Sequence, residues 1–264
     1  MPDLRYHVIS LISVFLALAI GVLLGIAMSD REIITDQLRS EVSGIQKQLD
    51  EQQELLGERD EEISNQQRYL EEMSEAMISD SLQGVNVAMI RGPWADEETA
   101  QELQNAITSE AGADLTSFVR LPEPTPIEDP PEAAVDPETE YANEAREVLE
   151  FEGDAEAPQV VVFIGGGEIP EGVPEGSEES LDAAQRAMFD VLIESGVRVI
   201  ATEPSVSTTP RSEIPLFQDL GITSVDNVDV EVGQASVVRL ANSFEDGSYG
   251  TKPTASALFP PSSN

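Results

Sequence analysis

The chain has 264 residues and carries 51 Asp and Glu against 14 Lys and Arg, a formal charge of -37, with one histidine and no cysteine. Such a surface repels nucleic acid and anionic lipid headgroups, which excludes both as partners of the water-facing part. Without thiols there are no disulfides, thiolate metal centres or cysteine nucleophiles, and the redox compartment cannot be read.

In chain order, the first element is the plainest. From residue 8 to residue 28 no side chain is charged, and Leu, Ile, Val, Phe, Ala and Gly dominate. At about 1.5 Å per residue this stretch spans about 31 Å, enough to cross a hydrocarbon core. A cleaved signal peptide competes, because Ala27-Met28-Ser29 has a small-x-small form. The apolar stretch is longer than the roughly 7–15 residues of a signal core, so residues 1–29 are read as a retained transmembrane anchor. Arg5 and the α-amino group flank one end, and Asp30 and Glu32 surround Arg31 at the other. That asymmetry expects a cytoplasmic N-terminus, a single pass through the cell membrane and an extracytoplasmic C-terminal part. Gly21 and Gly25 read equally as a close-approach pair for two helices and as the ordinary glycine content of a membrane helix.

Residues 30–80 read as a coiled-coil stalk. Val42, Leu49, Leu56, Ile63, Leu70 and Met77 recur every seventh residue and form the a positions. The d positions are then Leu38, Ile45, Gln52, Arg59, Gln66 and Met73, apolar at the ends and polar in the middle. A heptad sustained this long is specific for helix pairing, and the polar d residues set register or copy number at a cost in stability. Homo-oligomerisation through this stalk is expected; a lone helix folded back on the following domain is the alternative. Gly44 and Gly57 are weak points in either case.

Residues 84–264 read as an extracytoplasmic α/β domain of alternating strands and helices. Strands are expected at 85–91, 115–121, 160–164, 197–201 and 222–225, and helices follow Asp96, follow Asp136-Pro137, carry Leu181, Ala184, Met188 and Leu192, and span 213–220 and 233–241. The acidic, proline-rich stretch 122–137 reads as a surface loop. Five strands alternating with helices argue for a doubly wound, mostly parallel five-stranded sheet of the Rossmann or flavodoxin type.

The two ends of the chain carry a resemblance. Leu4-Arg5-Tyr6-His7-Val8, Ser10-Leu11, Val14-Phe15-Leu16-Ala17-Leu18 and Gly21 through Gly25 resemble the amino-terminal signature of the mycobacterial copper transport protein B family. So do Ser224-Val225-Asp226-Asn227-Val228-Asp229 with Gly233-Gln234, and Gly247-Ser248-Tyr249-Gly250 through Lys252 with Leu258-Phe259-Pro260. The resemblance implies a bacterial envelope protein linked to copper efflux and homeostasis, part of an oligomeric assembly that in some members is proposed to form a channel. The shared motifs look structural, so no ligand residues are implied.

The residues themselves offer little for copper. Cu(I) prefers thiolate, thioether and imidazole donors. The one histidine, His7, reads as an interfacial residue beside Tyr6, and the methionines are Met1, Met28, Met73, Met77, Met89 and Met188. Met73 and Met77 share a helical face as a soft pair or, more simply, as seam residues. Copper and other divalent cations are therefore expected to bind only weakly, through carboxylates. A pore is equally hard to find, because Ser10 and Ser13 are the polar side chains between residues 8 and 28. Nor does the sequence read as an enzyme. Gly165-Gly166-Gly167, followed by Glu168-Ile169-Pro170, lacks the third glycine of a dinucleotide fingerprint and the lysine of a phosphate loop, and Glu168 and Glu171 repel phosphate. The Ser and Thr cluster of residues 205–209 has no histidine for a triad. No catalytic, cofactor-binding or metal residue is assigned and no cofactor is expected. Two functions remain: a copper transport and homeostasis factor, by resemblance, and a non-catalytic envelope scaffold or partner-binding protein.

Overall fold

In the computed structural model the described residues are 4–123, 136–150, 157–167, 169–170, 172–174, 176–205, 212–243 and 245–261; within the first helix the side chains of residues 4, 5, 28–40 and 71 are not among them. Most of the loop 122–137 thus lies outside the described residues, as do Glu168, Glu171 and the stretch 206–209. The chain divides into two compact units, Met1–Gln66 and Gln67–Asn264.

The first unit is helix throughout its described length and belongs to α1, Leu4–Ile78. Within it Tyr6–Ala27 has a mean hydropathy of 2.7 over 22 residues and none of it is buried in the chain. The helix continues through Gly44 and Gly57, which cost propensity without breaking it. Val42, Ile45, Leu49, Leu56 and Ile63 are all exposed.

The second unit is a parallel sheet with helices on both faces. Its strands are β1 (Asn86–Arg91), β2 (Asp114–Arg120), β3 (Val160–Ile164), β4 (Arg198–Thr202), β5 (Thr223–Val225) and β6 (Ser248–Tyr249), in the order β2-β1-β3-β4-β5-β6. The expected five-stranded sheet is corrected by the sixth strand. β6 has two residues between glycines, too short to show a period, and exists because its backbone pairs with β5. Every strand pair is parallel, as right-handed crossovers through α2 (Glu97–Asn105), α3 (Pro137–Leu149), α4 (Ser177–Ser195), α5 (Ile214–Asp219) and α6 (Glu231–Asn242) require.

Strand alternation sorts the core into two layers. Val87, Met89, Val160, Val162 and Ile164 face the end of α1, α2 and α6. Ala88, Ile90, Val161 and Phe163 face α3, α4 and α5. On that second face Phe163, Phe189 and Phe217 meet edge to face with centroids 5.1, 5.9 and 5.7 Å apart. A triad of this kind contributes about 0.5–1.5 kcal/mol per pair beyond its buried area.

Two helix starts follow their expected caps. Asp96 accepts from the Thr99 amide at 2.8 Å, and Asp136 accepts from the Thr139 amide at 2.9 Å. In each case this backbone hydrogen bond holds the carboxyl below its ordinary value of 3.8. The capping contribution is therefore complete above that pH and is lost as pH falls through the depressed folded values. On acid titration below pH 3.8, followed by circular dichroism, the wild type should lose more stability than the Asp96→Asn/Asp136→Asn variant, whose amide caps do not titrate.

Candidate functional site

A sheet of this order reverses direction between β1 and β3, and doubly wound folds bind ligands in the crevice at the carboxyl ends of those strands. Here the chain's own groups fill that position. Beyond the strands the ladder continues, with the Gly92 amide donating to Ile164 O at 2.8 Å and the Gly165 amide to Thr202 O at 2.7 Å. The two loops then touch. A Cβ on Gly167, whose φ is +104°, would lie 1.7 Å from Trp94 O, so only glycine fits there.

The glycine loop also holds an anion, supplied by the protein. The Gly166 amide donates to Glu213 Oε2 at 3.0 Å, and Gln185 Nε2, buried on α4, donates to Glu213 Oε1 at 2.8 Å. A Cβ on Gly165 would stand 1.9 Å from Glu213 Oε2. The carboxylate of Glu213 thus takes the place that a phosphate takes in nucleotide-binding loops. Burial first, and then the nearness of Glu213, drives the Tyr141 phenol well above its ordinary value of 10, so the hydroxyl stays protonated. The Tyr141 hydroxyl donates to Pro122 O at 2.7 Å.

Next to it lies a second buried carboxylate. Glu203, 1% exposed at the end of β4, accepts from the Glu213 amide at Oε2 and from Ser212 Oγ at Oε1, both at 2.7 Å. Lys252 pairs with the same Oε1 through its ammonium group. A third carboxylate, Asp226 at the end of β5, accepts from the backbone amides of Thr251 at 2.6 Å and Lys252 at 3.1 Å. Gly250, at φ +134°, lies so close that a Cβ would stand 2.0 Å from Asp226 Oδ1. A similar approach makes Gly233 obligatory, since a Cβ there would be 1.8 Å from Asn227 O. At the far end of the segment Arg239 stacks 5.5 Å from the Phe259 ring centroid and donates to Pro261 O.

The residues that carried the C-terminal resemblance therefore converge as one clamp: Asp226 and Asn227 at the strand end, Gly233 on α6, Gly250 and Lys252 in the tail. Sequence reasoning treated them as separate turns and caps, and it missed Glu203 and Glu213. The one available signal was Lys252, the single lysine beyond residue 47. The other candidates lie apart. Met89 and Met188 are fully buried on opposite faces of the sheet. Met73 and Met77 are 43% and 46% exposed near the end of α1, and His7 stands in the apolar span. Among the described residues no three His, Cys, Asp or Glu side chains are placed to hold a metal ion.

Chemically the cluster stores negative charge and spends it on structure. Removing the cation should be costly: Lys252→Met leaves Glu203 buried beside Glu213 and is expected to lower stability by about 3–5 kcal/mol. In a domain of this size that corresponds to a melting point lower by on the order of 10 °C. Adding Glu203→Gln should recover much of the loss in a thermal melt.

Comparison with known proteins adds the relatives. Residues 1–129 match the family described as "Copper transport outer membrane protein, MctB". Copper transporter MctB of Mycobacterium bovis and that of Mycobacterium tuberculosis are each 32% identical to this chain over 124 residues. The match takes in 46% of this chain and 38% of either relative's length. Its range on this side reaches from the apolar helix through the heptads into β1, α2 and β2. Residues 1–129 thus match the MctB family, and the chain spans 38% of the length of the curated relatives it resembles.

Proposed function

We propose that the chain is a membrane-anchored envelope protein that works in copper transport and homeostasis as a homo-oligomer. The apolar helix anchors it in the cell membrane with the N-terminus in the cytoplasm. The stalk joins copies, and the α/β unit works outside the cytoplasm. The observation that carries the reading is the family match across residues 1–129, the range that holds the apolar helix, the heptads and the first two strands.

Within that reading the protein acts by assembly, with copper as cargo of the system. The donor geometry supports this. Tight Cu(I) binding needs two or three soft ligands meeting at one point. Met89 and Met188 are held in separate core layers, and Met73 and Met77 offer two thioethers one turn apart. The crevice that would serve catalysis is occupied by Glu213 and by the contact between the 92–95 and 165–167 loops. The same observation favours the second reading, a non-catalytic scaffold that binds other envelope proteins and has no part in copper handling.

Deleting the gene separates the two. Copper transport expects a strain sensitive to copper and rescued by the full chain, whereas a scaffold expects copper tolerance unchanged. Rescue should persist in Met73→Leu/Met77→Leu. The purified full chain should lose Cu(I) to a chelator in a competition titration, and stoichiometric binding that survives high salt and vanishes in the double variant would reverse the view of that pair as seam residues.

A further inference from the structure

The heptad frame set by Val42, Leu49, Leu56, Ile63, Leu70 and Met77 assigns a column to every stalk residue, and the columns sort the charges. Asp50, Glu51, Glu54, Glu58, Glu61 and Glu72 fall on the outward columns b, c and f. Between Val42 and Met77 the columns that flank the seam, e and g, carry Gln, Ser, Leu, Tyr and Ala and are charged only at Asp60 and Glu62, while Arg39 and Glu41 on these columns precede that stretch. Within the same stretch the seam itself, columns a and d, is charged at one position, Arg59. So between Val42 and Met77 the three charges on or beside the seam lie within four residues of one another.

Among the described residues Arg59 has no charged partner. Lys47, on an outward column, reaches Glu51 at 3.6 Å, whereas Arg59 makes no ion pair among the described residues. Its side chain and its apolar neighbours Leu56 and Ile63 are exposed. A guanidinium sealed into a closing seam is costly unless a carboxylate meets it. A d-position side chain enters a hole on the facing helix, and one wall of that hole is the facing e residue.

We propose that the stalk pairs in parallel and in register with a second copy of the chain, and that Arg59 seats against Asp60 of that copy with Glu62 beside it. The proposal rests on the oligomeric reading above and names the contact that fixes its register. Parallel orientation follows from anchoring every copy at its N-terminus in one membrane. Register follows from the charges: in register the facing e residue is Asp60, and a slip of one heptad either way replaces it with Gln53 or Gln67, leaving the guanidinium unmet. A single polar position that sets register at some cost in stability is an established use of such residues in coiled coils.

The absence of cysteine makes the test direct, because Leu49→Cys on the a column gives the full chain, in detergent micelles, one reporter thiol. In-register copies bring the two introduced thiols together, and oxidation should cross-link the parent efficiently. In that background Arg59→Glu and Asp60→Arg each place like charges across the seam, and each is expected to cross-link with itself about tenfold less, as for the combined loss of two symmetry-related charge pairs. Mixing the two variants restores both pairs, so their heterodisulfide should form well above the statistical share while helicity stays unchanged. Self-cross-linking of each variant at the parental level, or a mixture that recovers nothing, overturns the Arg59 contact. A parent that neither cross-links nor sediments above a monomer overturns stalk pairing itself, which is a different failure from one confined to Arg59.

Discussion

A carboxylate taken out of water must be met by donors, and three such groups stand at the carboxyl end of this sheet. Glu213, Glu203 and Asp226 between them engage the amides of Gly166, Glu213, Thr251 and Lys252, the Gln185 amide group, the Ser212 hydroxyl and the Lys252 ammonium. Much of the surrounding backbone follows from that demand. Gly165 and Gly250 are glycines because a carboxylate oxygen occupies the space of their Cβ. The tail turns back over β5 because Asp226 holds it there, and that return creates β6. Next to the position where such folds bind ligands, the Gly166 amide is engaged by the chain's own Glu213 and Gly167 packs against Trp94.

The same accounting explains where the rest of the charge goes. With 51 acids and 14 bases, repulsion is the standing penalty of the chain, and the sequence keeps most acids on surfaces where water and salt screen them. Between Val42 and Met77 most of them fall on columns away from the heptad seam, with Asp60 and Glu62 beside it, and the α/β unit puts Glu97, Glu98, Glu138 and Glu140 in the first turns of helices, where the helix dipole favours negative charge. Glu102 and Glu144 are pushed upward by partial burial and then by acidic neighbours.

What could be read in the sequence was local. The helix starts at Asp96 and Asp136 and the strand at 160–164 all depend on neighbours within a few residues, and each is found in the structure. β6 was invisible because Ser248-Tyr249 shows no period and is held by a remote strand. Glu203 and Glu213 were hidden among many other acids, and Lys252, the partner that distinguishes Glu203, stands 49 residues further along the chain. Met89 and Met188 were legible as core residues, but their placement in separate layers needed the sheet. For the stalk the heptad was legible, and its a-column residues Val42, Leu49, Leu56 and Ile63 are exposed.

The account stands on the claim that internal carboxylates hold the crevice and the tail shut. Amide hydrogen exchange on the full chain tests it residue by residue. The Gly166, Thr251 and Lys252 amides, which donate to Glu213 and Asp226, should exchange only with global opening, as slowly as the amides of β3. Exchange of these three amides as fast as exposed loop amides, while β3 stays protected, would contradict the claim.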